Sequence, residues 1–165
     1  MDASRIKRGV MLKCRFPYDD APHLPGMKPH YCLAVTDALH FEGKVYVLVA
    51  YGTSKLDEDL LRAHQGLILS VPSIYIKGAT LPEATGHFVA DHVALLPLTS
   101  DWIYEDFFGT LDFVATAAQE NDARRSRLYE SFLAAEKAML AASRDLVKSF
   151  FDSRQPGLKP GKTLR

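Results

Sequence analysis

The run Val45-Tyr46-Val47-Leu48-Val49-Ala50-Tyr51 constrains the chain most, because no position in it is charged and none opens a polar face. β-branched and aromatic side chains suit a pleated strand, and a strand without a polar face must be covered on both sides. Other elements must therefore wrap this segment. Val10, Leu12, Cys14 and Phe16 alternate with Met11, Lys13 and Arg15, which predicts a half-buried first strand. Residues 30–37 predict a second strand, joined to the long one by a short loop around Phe41-Glu42-Gly43. Antiparallel pairing sets the start of that strand beside the end of the long one. Lys28 and Thr53 are thereby placed at one edge of a sheet.

The rest of the chain reads in order. Residues 1–7 are polar and predicted to fray. Residues 17–29 hold Pro17, Pro22, Pro25, Pro29 and Gly26, and predict a long irregular loop of the kind that carries function. Lys55 to Gln65 predicts a short helix, with Ser54 as cap and Asp57 at its third position. Gly66–Leu69 and Ser73–Ile76 read as short strands split by Pro72, which belongs at an edge or bend. His87–Val89 and Val93–Leu98 continue the β pattern around Asp91 and His92, whose side chains cannot share one site without a bulge. Asp101–Phe107 predicts a helical turn. Asp112 opens a helix that pauses near Asn121-Asp122 and runs to about Phe151. Its stripe of Leu128, Phe132, Ala135, Met139, Ala142, Leu146 and Phe150 follows alternating steps of three and four. Strands first and one long helix last predict an α+β fold. It divides into a small β-barrel over 1–120, a helical extension over 121–152 and a disordered tail over 153–165.

Hydrophobic residues make up 47% and charged residues 24% of the 165, enough for one domain with a real core. Twenty basic and twenty acidic residues cancel, which argues against binding long duplex nucleic acid. The first thirty residues are nonetheless locally basic, with Arg5, Lys7, Arg8, Lys13, Arg15 and Lys28 against Asp2, Asp19 and Asp20. Cys14 and Cys32 lack metal-ligand spacing and are expected to stay reduced, in the cytoplasm. No apolar run reaches membrane-spanning length. His30, His40, His64 and His87 stand in no zinc-type grouping, so no metal or cofactor is expected.

Several short stretches, in this order, give a resemblance. They are Arg8-Gly9-Val10, then Gly26-Met27-Lys28-Pro29 ahead of an apolar strand, then a strand ending in Thr53-Ser54. Gly86 to Val93 around Asp91, and Phe108-Gly109-Thr110-Leu111 before the terminal helix, complete the set. Together, over roughly residues 8–120, they resemble the MazF/PemK toxins. The resemblance implies an SH3-like barrel that cuts single-stranded RNA without a metal, acts as a homodimer and is neutralised by an antitoxin peptide. It implies that the 17–29 loop closes over the RNA groove, that Lys28 and Thr53 hold the scissile phosphate, and that Asp91 or the loop residue His23 handles protons. Lys13, Arg15, Ser54 and Lys55 become candidate substrate contacts. Lysine stands at 28 where the family usually carries arginine, which gives up a planar two-pronged grip on phosphate. A binding module that keeps the barrel and has lost catalysis is the competing reading. A CcdB-like topoisomerase poison ranks below both, because that activity needs a Trp near the chain end whereas Trp102 precedes a long helix.

Overall fold

A computed structural model describes residues 1–78, 85–115, 123–153 and 157–158. The strands are β1 (Val10–Cys14), β2 (His30–Ala34), β3 (Leu39–Phe41), β4 (Lys44–Thr53), β5 (Ile68–Pro72), β6 (Ile76–Lys77), β7 (Thr85–Pro97), β8 (Ile103–Leu111) and β9 (Gly157–Leu158). The helices are α1 (Glu58–Ala63), α2 (Asp112–Ala115) and α3 (Ala123–Ser153). One antiparallel sheet runs in the order β5-β7-β4-β2-β1-β8-β6, with β3 on β4 and β9 on β7. The two ends of this path, β5 and β6, are joined only by Ser73–Tyr75. Four residue steps span at most about 14 Å, so the sheet must curl until its edges approach at that corner. The architecture is α+β: a strongly curled half-barrel followed by a long helix.

β4 is central, as its composition requires. Tyr46 through Ala50 are all buried, and they alternate between two separate cores. Tyr46, Leu48 and Ala50 face one, with Met11, Leu33, Phe88 and α3; Val47 and Val49 face the other, with Leu12, Cys14, Cys32 and Trp102. The loop expected to join β2 to β4 instead closes a β3–β4 hairpin. Glu42 and Gly43 both have positive φ between the paired residues Phe41 and Lys44, the conformation of a two-residue turn matched to strand twist.

β7 pairs with β4 along most of its length but breaks step once. Tyr51 lies opposite Val89 and the preceding residue, Ala50, lies opposite Val93, so Ala90, Asp91 and His92 bulge out of the ladder. The bulge reverses the strand's faces: Phe88 before it enters the first core, as does Ala90 at its start, and Val93 and Leu95 do so after it.

Three local expectations give way, two of them to tertiary pairing. Residues 103–107 form strand, not a helical turn, because β8 supplies the partner that β1 needs, with Lys13 opposite Glu105 and Cys14 opposite Ile103. Ser73–Tyr75 is a 3-10 turn, with Pro72 ending the edge strand β5. Gly157–Leu158, expected in a disordered tail, pairs with Leu95 and Ala94. The expected pause near Asn121-Asp122 lies outside the described residues.

The α3 stripe packs on the sheet. Phe132, Ala135, Met139, Leu146 and Phe150 are buried in the first core, and Phe150 sets its ring edge-on to Tyr46 at 4.6 Å. Arg8 on the barrel pairs with Glu136, and Arg125 with Asp112 at 3.0 Å, so charge contacts fix the helix's register where the apolar stripe alone permits sliding. Among the described residues no helix is long and apolar enough to cross a membrane. Met139→Asp places a charge in a fully buried site and is expected to cost about 3–5 kcal/mol, roughly 10 °C in Tm. Leu133→Asp, on the exposed side of the same helix, is expected to melt within a degree or two of wild type.

Candidate functional site

The antiparallel register gathers the ends of three strands. Cys14 lies opposite His30, Cys32 opposite Tyr51, and Thr53 opposite His87. The close of β1, the start of β2 and the close of β4 therefore share one end of the sheet, and Lys13, Arg15, Lys28, Thr53, Ser54 and Lys55 lie on or next to it. Two glycines permit the approach. A Cβ at Gly52 would stand 2.1 Å from the Tyr31 carbonyl oxygen, and one at Gly26 2.2 Å from that of Phe16. Any side chain at either position would force the backbones apart.

The candidates at this end do not all meet. Thr53 lines a mostly apolar cavity of about 150 Å³ that opens from the first core, with Met11, Tyr31, Ile76 and Phe88. Its hydroxyl is occupied locally: it accepts from the Lys55 N–H at 3.1 Å and donates to the Lys55 carbonyl at 3.3 Å. Ser54 lines the same cavity and does not cap α1; Asp57 does, accepting from the Leu60 N–H at 2.7 Å. The helix starts three residues later than expected, because Asp at 57 offers a carboxylate at the N-cap and Glu58 and Asp59 follow in its first turn. His23 and Arg15 border a different hollow of about 650 Å³, with Gly26, Asp101 and Trp102. Lys13 lies between the Tyr31 and Tyr104 rings, 5.3 and 5.1 Å from their centroids. Lys28 is exposed, and its charge reaches the neighbouring His30.

The bulge in β7 builds a third place, on the other side of β4. A cleft of about 170 Å³ is bordered by Phe16, Tyr18, Asp19, His30, Tyr51 and His92. The His92 ring lies 5.0 Å from Phe16 and 5.5 Å from Tyr51, and His30 lies 5.1 Å from Tyr51. Behind His92 is His64, which ends α1 and has a side chain 0% exposed. Its Nδ1 lies 2.5 Å from the Asp91 Oδ1, and its ring centroid 6.2 Å from that of His92. Asp91 and His92 thus do converge, as adjacent strand residues can only in a bulge, and His64 is what they converge on.

Burial sets the protonation of this cleft. It lowers the pKa of His92, with the neighbouring His64 adding to the shift and Asp19 and Asp91 opposing it. It lowers that of His30 too, assisted by the Lys28 charge. It raises that of Tyr51, with Cys32 and Tyr18 contributing. At neutral pH the cleft holds two uncharged imidazoles able to accept protons and a phenol able to donate one, beside a lysine cation. That set can perform acid–base chemistry next to an anion.

His64, His30 and Tyr51 carry no local motif, and the sequence reading passed over them. One signal was present: the apolar alternation of Phe88 and Ala90 changes phase to Val93 and Leu95 across Asp91-His92, which marks a bulge. His87, by contrast, is bound to the Ser70 hydroxyl at 2.7 Å across β5 and β7. Among the described residues no group of three or more His, Cys, Asp or Glu side chains is arranged to hold a metal. No family model matches the chain, and no curated protein matches it.

The lowered histidines fix a pH dependence. A group that binds its proton less readily folded than unfolded leaves stability intact above the unfolded pKa of about 6.5 and erodes it as the pH falls below. Tm is expected to drop between pH 7.5 and 5.5, and His92→Phe to flatten part of that drop in thermal melts. Equal slopes for the two proteins would show that His92 does not titrate against its burial.

Proposed function

We propose that this protein is a metal-independent endoribonuclease on an SH3-like barrel of the MazF/PemK type, acting as the toxin of a toxin–antitoxin pair. The observation that carries the reading is the cleft in which His30, His92 and Tyr51 stand together beside Lys28. Cleavage of RNA by its own 2′-hydroxyl needs a base for that proton, a cation for the phosphate oxygens and an acid for the departing 5′-oxygen. A neutral imidazole supplies the first. Lys28 supplies the second as a compact charge beside His30. The Tyr51 hydroxyl or the second imidazole, once protonated, supplies the third. The 2′-oxygen forms a bond to phosphorus as the 5′-oxygen leaves, and the product is a 2′,3′-cyclic phosphate. The dependence on the 2′-hydroxyl spares DNA. His23 and Arg15, in the neighbouring hollow, are positioned to contact the strand beyond the scissile phosphate. The homodimer, the antitoxin peptide and the cytoplasmic setting belong to the same proposal.

A second reading has its own support. The cavity beside Thr53 is apolar and of the size of one side chain, and the Thr53 hydroxyl is already engaged, which suits a module that grips a peptide without chemistry. Incubation with a long unstructured RNA separates the two. Cleavage that persists in EDTA and leaves cyclic phosphate ends is expected. Lys28→Ala is expected to lower it about a hundredfold, roughly 3 kcal/mol, with Tm unchanged because the side chain is exposed. Thr53→Ala is expected to cost less, since its hydroxyl orients a turn. Wild-type protein that leaves RNA intact would sink the nuclease reading and favour the binding module.

A further inference from the structure

The hollow bordered by Arg15, His23, Met27 and Asp101 has a volume of about 650 Å³ and mostly polar walls. Arg15 is fixed by backbone on both sides. Its N–H donates to the Trp102 carbonyl at 2.8 Å, and its own carbonyl accepts from the Gly26 N–H at 3.1 Å. The Arg15 Nε is sealed from solvent without a hydrogen-bond partner, and the side chain forms no ion pair among the described residues. A sealed donor without a partner costs stability, which a surface arginine avoids by turning to water. The donors left to Arg15 for a ligand are its two Nη groups.

Asp101 borders the same hollow, immediately before Trp102, and is exposed. Cation and carboxylate are thus mounted on one backbone junction, yet they do not pair with each other. Asp101 has no other ion pair among the described residues. Two opposite charges that share a recess and stay apart suit a ligand that accepts on one side and donates on the other. Both groups are flat and two-pronged. Guanine is the nucleobase that satisfies every prong: O6 and N7 accept from the arginine fork, while N1–H and N2–H donate to the carboxylate. Adenine, cytosine and uracil each leave at least one prong empty. Pro25 and the 83% exposed Met27 supply apolar surface for the face of the base. The volume falls within the range of small-molecule sites, roughly 300–1,000 Å³.

We propose that the hollow is a guanine subsite in which Arg15 and Asp101 set the specificity. No covalent bond changes there. Its place along a bound strand follows from the chain: Phe16 borders the His92 cleft and the adjacent Arg15 borders the hollow. The 17–29 loop likewise contributes Tyr18 and Asp19 to the cleft and His23 and Gly26 to the hollow. An RNA whose scissile phosphate lies in the cleft passes a neighbouring base to the hollow. Asp101 keeps the recess from being a general anion site, because a carboxylate repels phosphate while it accepts from a base. That the base belongs to an RNA substrate rests on the ribonuclease reading; the preference for guanine does not.

The test is NMR titration of the intact free protein with the 5′-monophosphates of guanosine, adenosine, cytidine and uridine, which carry one phosphate on four bases. The guanosine nucleotide is expected to shift the Gly26 and Asp101 amides and to bind at least about tenfold more tightly than the other three. Inosine 5′-monophosphate lacks the N2 amine that faces Asp101, and is expected to bind about tenfold more weakly than the guanosine nucleotide. Asp101→Ala is expected to abolish that difference, and the exposure of Asp101 leaves the fold intact. Arg15→Lys keeps the charge but loses the fork, and is expected to weaken the guanosine nucleotide about tenfold. With RNA as substrate, cleavage is expected beside guanosine and to slow about tenfold where inosine replaces it. No binding of the guanosine nucleotide, equal binding of all four, or a guanosine–inosine difference that survives Asp101→Ala overturns the subsite. Guanine-selective binding in a protein that cleaves no RNA would uphold the subsite and remove the ribonuclease reading alone. Cleavage indifferent to guanosine would overturn the subsite and leave that reading standing.

Discussion

Strand β4 has no side that meets solvent, and the fold is the set of elements that cover it. Tyr46, Leu48 and Ala50 demand one apolar neighbour and Val47 and Val49 another, so the sheet has to carry a core on each face. α3 closes the first, laying Phe132, Met139, Leu146 and Phe150 against it. The second is closed by the chain before β1 and by the turn into β8, through Ile6, Trp102 and the first residue of β8, Ile103. Burial of apolar surface at about 25 cal/mol per Å² makes this the dominant stabilisation, and it is non-directional. Directional contacts then select one arrangement among many that bury the same area. Arg8 on Glu136 and Arg125 on Asp112 are of that kind.

The same two-sided burial explains why the polar cleft lies where it does. A strand of thirteen residues running beside β4 would fill both cores without interruption. β7 instead spends Ala90, Asp91 and His92 outside the ladder, and that excursion turns two adjacent polar residues toward the C-terminal end of α1. His64 is buried there because α1 ends against the bulge. The dry surroundings that keep His92 and His30 unprotonated are those of the second core, so fold and acid–base character have one cause.

The parts legible in the sequence are those where periodicity and burial agree. Val45–Tyr51, the β1 alternation and the α3 stripe needed no partner to be read, because each carries its own repeat. Lys28 and Thr53 at one sheet end also followed from pairing two strands. Asp101–Phe107 predicts a helical turn on local grounds, and only the demand of β1 for a partner makes residues 103–107 strand. The His64–Asp91 contact spans 27 residues and depends on where α1 stops, which Asp57 decides by capping three residues later than expected. Nothing local to His64 announces that. With Asp57 and not Ser54 as the α1 cap, the Thr53 hydroxyl closes the Lys55 turn.

The central claim is that substrate chemistry belongs to the cleft beneath the bulge, on the His92 side of β4. NMR titration of the intact protein with a pool of uncleavable 2′-O-methyl hexanucleotides tests it most directly. The account requires that the His30 and His92 ring signals and the Lys28 amide shift together and saturate, while Thr85 and Gly86, at the cavity beside Thr53, shift little. Saturating shifts confined to Thr85, Gly86 and Ser73, with His30 and His92 unmoved, would contradict it.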